Sequence, residues 1–91
     1  MAMVRIAARQ ENNGTVTLVI SGKCNGGCIG ELKRAIEKAR RMQKQIVIDM
    51  SEITLVDRPS IQFLAAQARD NVRLINCPAY IEPWIAREES A

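Results

Sequence analysis

The stretch "IVIDMSEITLVDRPSIQFL", Ile46–Leu64, holds the turning point of the chain. Ile46-Val47-Ile48 is an unbroken apolar run, the composition of a central strand flanked or covered by neighbours. Asp49 to Glu52 is polar and reads as a loop. Ile53, Leu55 and Val56 then lead to a corner at Asp57-Arg58-Pro59. Beyond the corner Ile61, Leu64, Ala65 and Ala68 recur at helical spacing. The segment therefore reads as strand, corner, helix. Capping explains its shape. Asp57 suits the N-cap, where its carboxylate accepts a backbone N–H, here that of Ser60 at the third helical position. Pro59 falls in the first turn, where its missing N–H costs nothing.

Working back from this segment, Val4, Ile6 and Ala8 alternate with Arg5, Ala7 and Arg9, the period of a half-buried strand. Asn12-Asn13-Gly14 is a turn signal, because Asn and Gly tolerate positive φ. Val16, Leu18 and Ile20 alternate in their turn, and Gly22 is expected to end the strand. The two runs predict an antiparallel hairpin. After a polar loop, Lys23 to Gly27, the period changes. From Cys28 or Ile29 onward, Ile29, Leu32, Ala35, Ile36, Ala39 and Met42 define one face of a helix. Its other face is charged, and its last turn is cationic, which suits the helix dipole.

Working forward, Asp70-Asn71 ends the second helix and Val72 to Ile75 is a short strand. Asn76-Cys77-Pro78 is a turn. Tyr80, Ile81, Trp84 and Ile85 predict a last short helix. An interior proline costs ~3 kcal/mol, so Pro83 places the start of that helix near Ala79 or later. Arg87 to Ala91 reads as a frayed, charged tail. The order is strand, strand, helix, strand, helix, strand, helix. It implies an α/β fold: a mixed, mostly parallel sheet with an N-terminal antiparallel hairpin and three helices, in one domain spanning residues 1–91.

Composition narrows the chemistry. The chain has 91 residues, is 47% apolar and is only 3% aromatic, so Ile, Val, Leu and Ala must build the core, with Phe63, Tyr80 and Trp84 as its only large rings. There is no histidine, which excludes every mechanism that needs a His base or ligand. The net charge of +3 is mild for a nucleic-acid binder. The longest apolar runs fall short of the ~20 residues that span a bilayer. An odd cysteine count, three, with no signal peptide, points to a reducing compartment, and the protein is expected to be cytoplasmic.

Other candidate sites are weaker. Cys24 and Cys28 have three residues between them where a thioredoxin-like motif has two. A zinc site needs about four ligands, and only Cys77 could join them. These cysteines can equally be packing residues. The glycine-rich loop before the first helix lacks the Gly-Lys-Ser/Thr ending of a P-loop and reads as a flexible turn. Lys38 to Lys44, "KARRMQK", reads as a solvated helix end. Asp49 and Asp57 both lie at strand ends, but no pocket between them is implied. No metal, cofactor or enzymatic activity is expected.

Taken together, "IVIDMSEITLVDRPSIQFL", "LVISGKCNGG" (Leu18–Gly27) and "LINCPAYIEPWI" (Leu74–Ile85) resemble the STAS domain, the sulfate-transporter and anti-sigma-factor-antagonist family. The resemblance covers nearly the whole chain, and most of its weight lies in the order of elements. In that family an apolar strand ends in Asp, and a short loop leads to Asp-Ser-Ser-Gly at the start of a helix. Asp49 and Asp57 fall at the matching places. Gly22 matches a strand-ending glycine, and Asn25 stands where the family has an Asp. The departure is at the site itself. Arg58 occupies the position of the family's phosphorylated serine, Pro59 that of the second serine and Ser60 that of the glycine.

The resemblance implies a non-enzymatic regulatory module that docks on a protein partner, such as an anti-sigma factor with kinase activity, and so changes bacterial transcription by partner switching. The docking surface it implies is Lys23, Asn25, Asp57, Arg58 and Ser60. Ser60 is either an alternative phosphoacceptor or a cap partner only. Arg58 resembles neither serine nor phosphoserine, which favours a second reading: a constitutive subunit or homodimer in a larger assembly, for example a transport system. An exposed apolar patch near Phe63, Tyr80 or Trp84 would favour that reading further. A small enzyme or ligand binder is the third reading, and it would need a sizeable pocket with a perturbed acid or cysteine. No nucleic-acid partner and no membrane insertion are expected.

Overall fold

The computed structural model describes residues 4–11, 13–24 and 26–89. Seven elements follow one another: β1 (Val4–Gln10), β2 (Thr15–Cys24), α1 (Gly26–Arg41), β3 (Gln45–Val56), α2 (Arg58–Arg69), β4 (Val72–Ile75) and α3 (Glu82–Glu89). Their order is the one the residue periodicity predicts. The strands form one sheet in the order β1-β2-β3-β4. β1 is antiparallel to β2, and the β2–β3 and β3–β4 pairs are parallel. The architecture is thus α/β with a mixed sheet and three helices.

Two consecutive crossovers between neighbouring parallel strands, both of the usual right hand, put their helices on the same face of a sheet. The core follows from this. Val16, Leu18 and Ile20 of β2 and Ile46, Ile48 and Met50 of β3 form one buried cluster with Leu32, Ile36 and Ala39 of α1, Ile61, Leu64 and Ala65 of α2, and Ile81 and Ile85. Residues of opposite parity, among them Arg5, Arg9, Val47, Asp49 and Arg73, point to the other face of the sheet.

Several boundaries differ from the sequence reading. Asp49 to Glu52 is strand, not loop: β3 runs unbroken to Val56. It pairs with a β2 that continues past Gly22 to Cys24, with register shifts between Val19 and Ser21 and between Gly22 and Lys23. Extra residues in one strand of a pair break the two-residue alternation. Met50 and Ile53, three apart, therefore both face the core, at 0% and 5% exposure. Gly22 does not end its strand. It sits at φ +90° between the two shifts, a conformation that glycine adopts without penalty.

α1 begins at Gly26, two residues before Cys28. α3 extends through Arg87 to Glu89, so that part of the expected frayed tail is helical, with Pro83 in the first turn. The expectation that all three rings are core residues fails for two of them. Phe63 is half-buried, but Tyr80 and Trp84 are 57% and 56% exposed. The reason is helical phase: Ile81 and Ile85, four apart, take the buried stripe and turn their N-terminal neighbours outward.

The cationic end of α1 has a structural use. Arg40 donates to the Asp70 carboxylate at 2.9 Å and to the Asp70 backbone carbonyl at 3.2 Å, which ties the C-terminal ends of α1 and α2 together. Both side chains are exposed, so the pair contributes ~0.2–1 kcal/mol.

Candidate functional site

In open α/β sheets, ligands bind beyond the C-terminal ends of the parallel strands. Here that end is built from Lys23 and Cys24 of β2, Val56 of β3 with Asp57 and Arg58 after it, and Asn76 after β4. Two concavities of about 610 Å³ each lie elsewhere. They are lined by Asn13, Thr15, Val47 and Arg73, residues at the opposite end of the sheet or on its open face.

The corner is held by three hydrogen bonds, one to β2 and two within the first turn of α2. The Asp57 N–H donates to the Cys24 carbonyl at 3.2 Å, which closes the corner onto β2. The Asp57 carboxylate accepts the Ser60 N–H at 3.0 Å, and the Asp57 carbonyl accepts the Ile61 N–H at 3.0 Å. This is the capping geometry that the residue types imply, with Pro59 in the first turn. It leaves Arg58 exposed at the first position of α2, while Asp57 is half-buried. Lys23 is exposed on the adjoining strand. Asn25 lies outside the described residues.

Ser60 does not belong to the exposed surface. It is 1% exposed, and its hydroxyl faces the core, 3.9 Å from the Cys28 sulfur. The candidate phosphoacceptor is therefore enclosed, because the third residue of α2 turns inward under the corner. A phosphoryl group at Ser60 requires the corner to open.

The sulfurs of Cys24 and Cys28 are joined, with their Cα atoms 5.2 Å apart, inside the usual range for a disulfide. The residue types allow a metal or redox role or simple packing, and a bonded pair is at odds with the reducing compartment that the cysteine count suggests. What brings them together is that β2 continues to Cys24 and α1 begins before Cys28. Cys77 is the free cysteine. Burial raises the Cys77 thiol above its ordinary pKa, and the nearby Glu82 charge raises it further. Alkylation of the folded chain without reductant is thus expected to mark Cys77 alone, and slowly at neutral pH because thiolate is scarce. Reduction and unfolding are expected to expose all three cysteines. Mass spectrometry after alkylation reads both states, and three labels on the unreduced chain would mean that no Cys24–Cys28 bond exists.

Asp49 and Asp57 do not work as a carboxylate pair. Asp49 accepts the Ser51 N–H at 2.9 Å and the Asn76 side-chain amide at 3.3 Å. The Ser51 backbone N–H is the main cause holding the Asp49 carboxyl below its ordinary pKa; partial desolvation opposes it, and the Ser51 hydroxyl, Asn76 and the Arg9 charge assist. Its role is to lock the β3 bulge to the end of β4. Asp57 is engaged at the cap.

The structure adds residues to this end that the sequence reading did not assign to a site. Tyr80 donates its hydroxyl to the Thr54 carbonyl at 3.0 Å, which anchors an exposed ring beside the end of β3. Leu55 is 51% exposed on that strand. Trp84 lines a cleft of about 270 Å³ with Arg58, Ile61, Arg87 and Glu88. A signal for this existed in the sequence: Tyr80 and Trp84 are spaced four apart, one step out of phase with Ile81 and Ile85. Among the described residues, no three of Cys, Asp and Glu gather as a metal site, and no helix is long and apolar enough to cross a membrane. No known protein-family profile matches the chain, and no curated protein matches it.

Proposed function

We propose that this protein is a non-enzymatic regulatory module that docks on a partner protein through the corner, in the manner that the STAS-like residues suggest. One observation carries the reading. Arg58 is exposed at the C-terminal end of the sheet, on a corner fixed by the Asp57 cap and by the Asp57–Cys24 backbone bond. A guanidinium carried on a fixed corner suits recognition, because little loop order is lost when a partner binds. Lys23 lies on the adjoining strand and extends the basic surface. The partner this reading envisages is an anti-sigma factor or a kinase-like protein, and the setting is bacterial and cytoplasmic.

Affinity purification from the native host, with the wild-type chain and Arg58→Glu compared side by side, tests the proposal. The wild type is expected to retain a stoichiometric partner, and the charge reversal is expected to lower its recovery at least about tenfold. Equal recovery on both chains would refute docking at the corner.

A second reading is favoured by the exposure of Tyr80 and Trp84 and by the arginine at position 58. Here the domain is a constitutive subunit or a homodimer of a larger assembly, with no phosphorylation switch. A partner that stays bound whatever the phosphorylation state of either protein supports this reading over the first.

A further inference from the structure

The chain has three aromatic side chains, and two of them are spent on solvent. A small domain that needs every apolar group for its core gains nothing in stability from a Trp and a Tyr each more than half exposed. Both lie on the α3 side of the corner, where Trp84 shares its cleft with Arg58 and Arg87. Trp, Tyr and Arg are the residues that dominate binding energy at protein interfaces. Glu88 is the acidic member of the cleft wall, and Ile61 forms part of its floor.

We infer that the docking surface extends from the corner onto α3, and that the Arg58–Trp84–Arg87 cleft takes an acidic segment of the partner protein. This rests on the corner-docking reading and adds the chemistry of what is bound. Carboxylates of the segment face Arg58 and Arg87, where planar guanidiniums give forked hydrogen bonds. Apolar side chains of the segment cover the indole face. A single-stranded nucleic acid is the competing occupant of an arginine and tryptophan surface. A net charge of only +3 favours the peptide.

Trp84 is the sole tryptophan and so reports on its own cleft. The full chain is titrated with three probes: a synthetic peptide of alternating Glu and Leu, its Lys/Leu counterpart, and oligothymidylate. The Glu/Leu peptide is expected to shift Trp84 emission to shorter wavelength in a saturable way. Arg58→Glu and Arg87→Glu are each expected to weaken that binding at least about tenfold, with circular dichroism unchanged because both side chains are exposed. No shift with the Glu/Leu peptide overturns the inference. So does an equal shift with the Lys/Leu peptide, or tighter binding of oligothymidylate. Partner recovery separates this inference from the reading beneath it. If Arg58→Glu loses the partner while Arg87→Glu and Trp84→Ala keep it, the corner docks and the α3 cleft does not. If all three variants keep it, both fail.

Discussion

Ser60→Asp is expected to destabilise the domain by about 3–5 kcal/mol, because it leaves an uncompensated charge in the core. Ser60 is 1% exposed, its hydroxyl faces the Cys28 sulfur, and its backbone N–H serves the Asp57 carboxylate. A new carboxylate there is enclosed and stands beside the Asp57 carboxylate. At about 0.05–0.15 kcal/mol per residue, a chain of this length holds roughly 5–14 kcal/mol in all, so the substitution removes a large share of its stability. Ser60→Ala is the control. It loses only a weak contact with sulfur and is expected to cost about 1 kcal/mol or less. Urea unfolding of the three chains at neutral pH decides the matter. Near-equal midpoints for Ser60→Asp and the wild type would mean that the side chain reaches water readily. Ser60 would then return as a phosphoacceptor, with the −1.5 to −2 charge of a phosphate tolerated at that place.

Leu64→Ala is expected to cost about 2–5 kcal/mol, the range for a leucine removed from a closed core. Leu64 is 0% exposed, midway along α2, in the cluster that joins α2 to the sheet and to Ile81 and Ile85. A cavity at that position loosens the helix whose first turn carries Arg58, so partner recovery is expected to fall along with stability. Gln62→Ala, two residues away and exposed, is expected to change stability by no more than about 0.5 kcal/mol. Denaturant melts of the two variants check the contrast. A Leu64→Ala chain as stable as wild type would mean that α2 is not packed as described.

Both results concern residues whose surroundings are only partly legible in the sequence. The cap was legible, since Asp57, Pro59 and Ser60 are residue types with strong local preferences, and the Asp57–Ser60 bond forms between the atoms those types suggest. The side-chain direction of Ser60 was not legible. A polar residue at the start of a helix usually faces water, and only the closeness of β2 and α1, bonded through Cys24 and Cys28, encloses it. The same holds for Tyr80 and Trp84. Their size suggests the core, yet the buried positions of this segment belong to Ile81 and Ile85.

By itself the sequence determined the order of the seven elements, the α/β class and the capped corner between β3 and α2. These rest on interactions within a few residues: period two or 3.6 in the apolar pattern, glycine and asparagine at turns, and a carboxylate that reaches an N–H three residues on. The tertiary structure alone decided that β3 continues through Asp49 to Val56, that Cys24 meets Cys28, that Ser60 is enclosed, and that Trp84 faces Arg58 across a cleft. Each depends on which distant segment lies alongside. A bulge shifts which residues face in, and a neighbouring helix decides which side chains remain in water, so neither can be written in local periodicity.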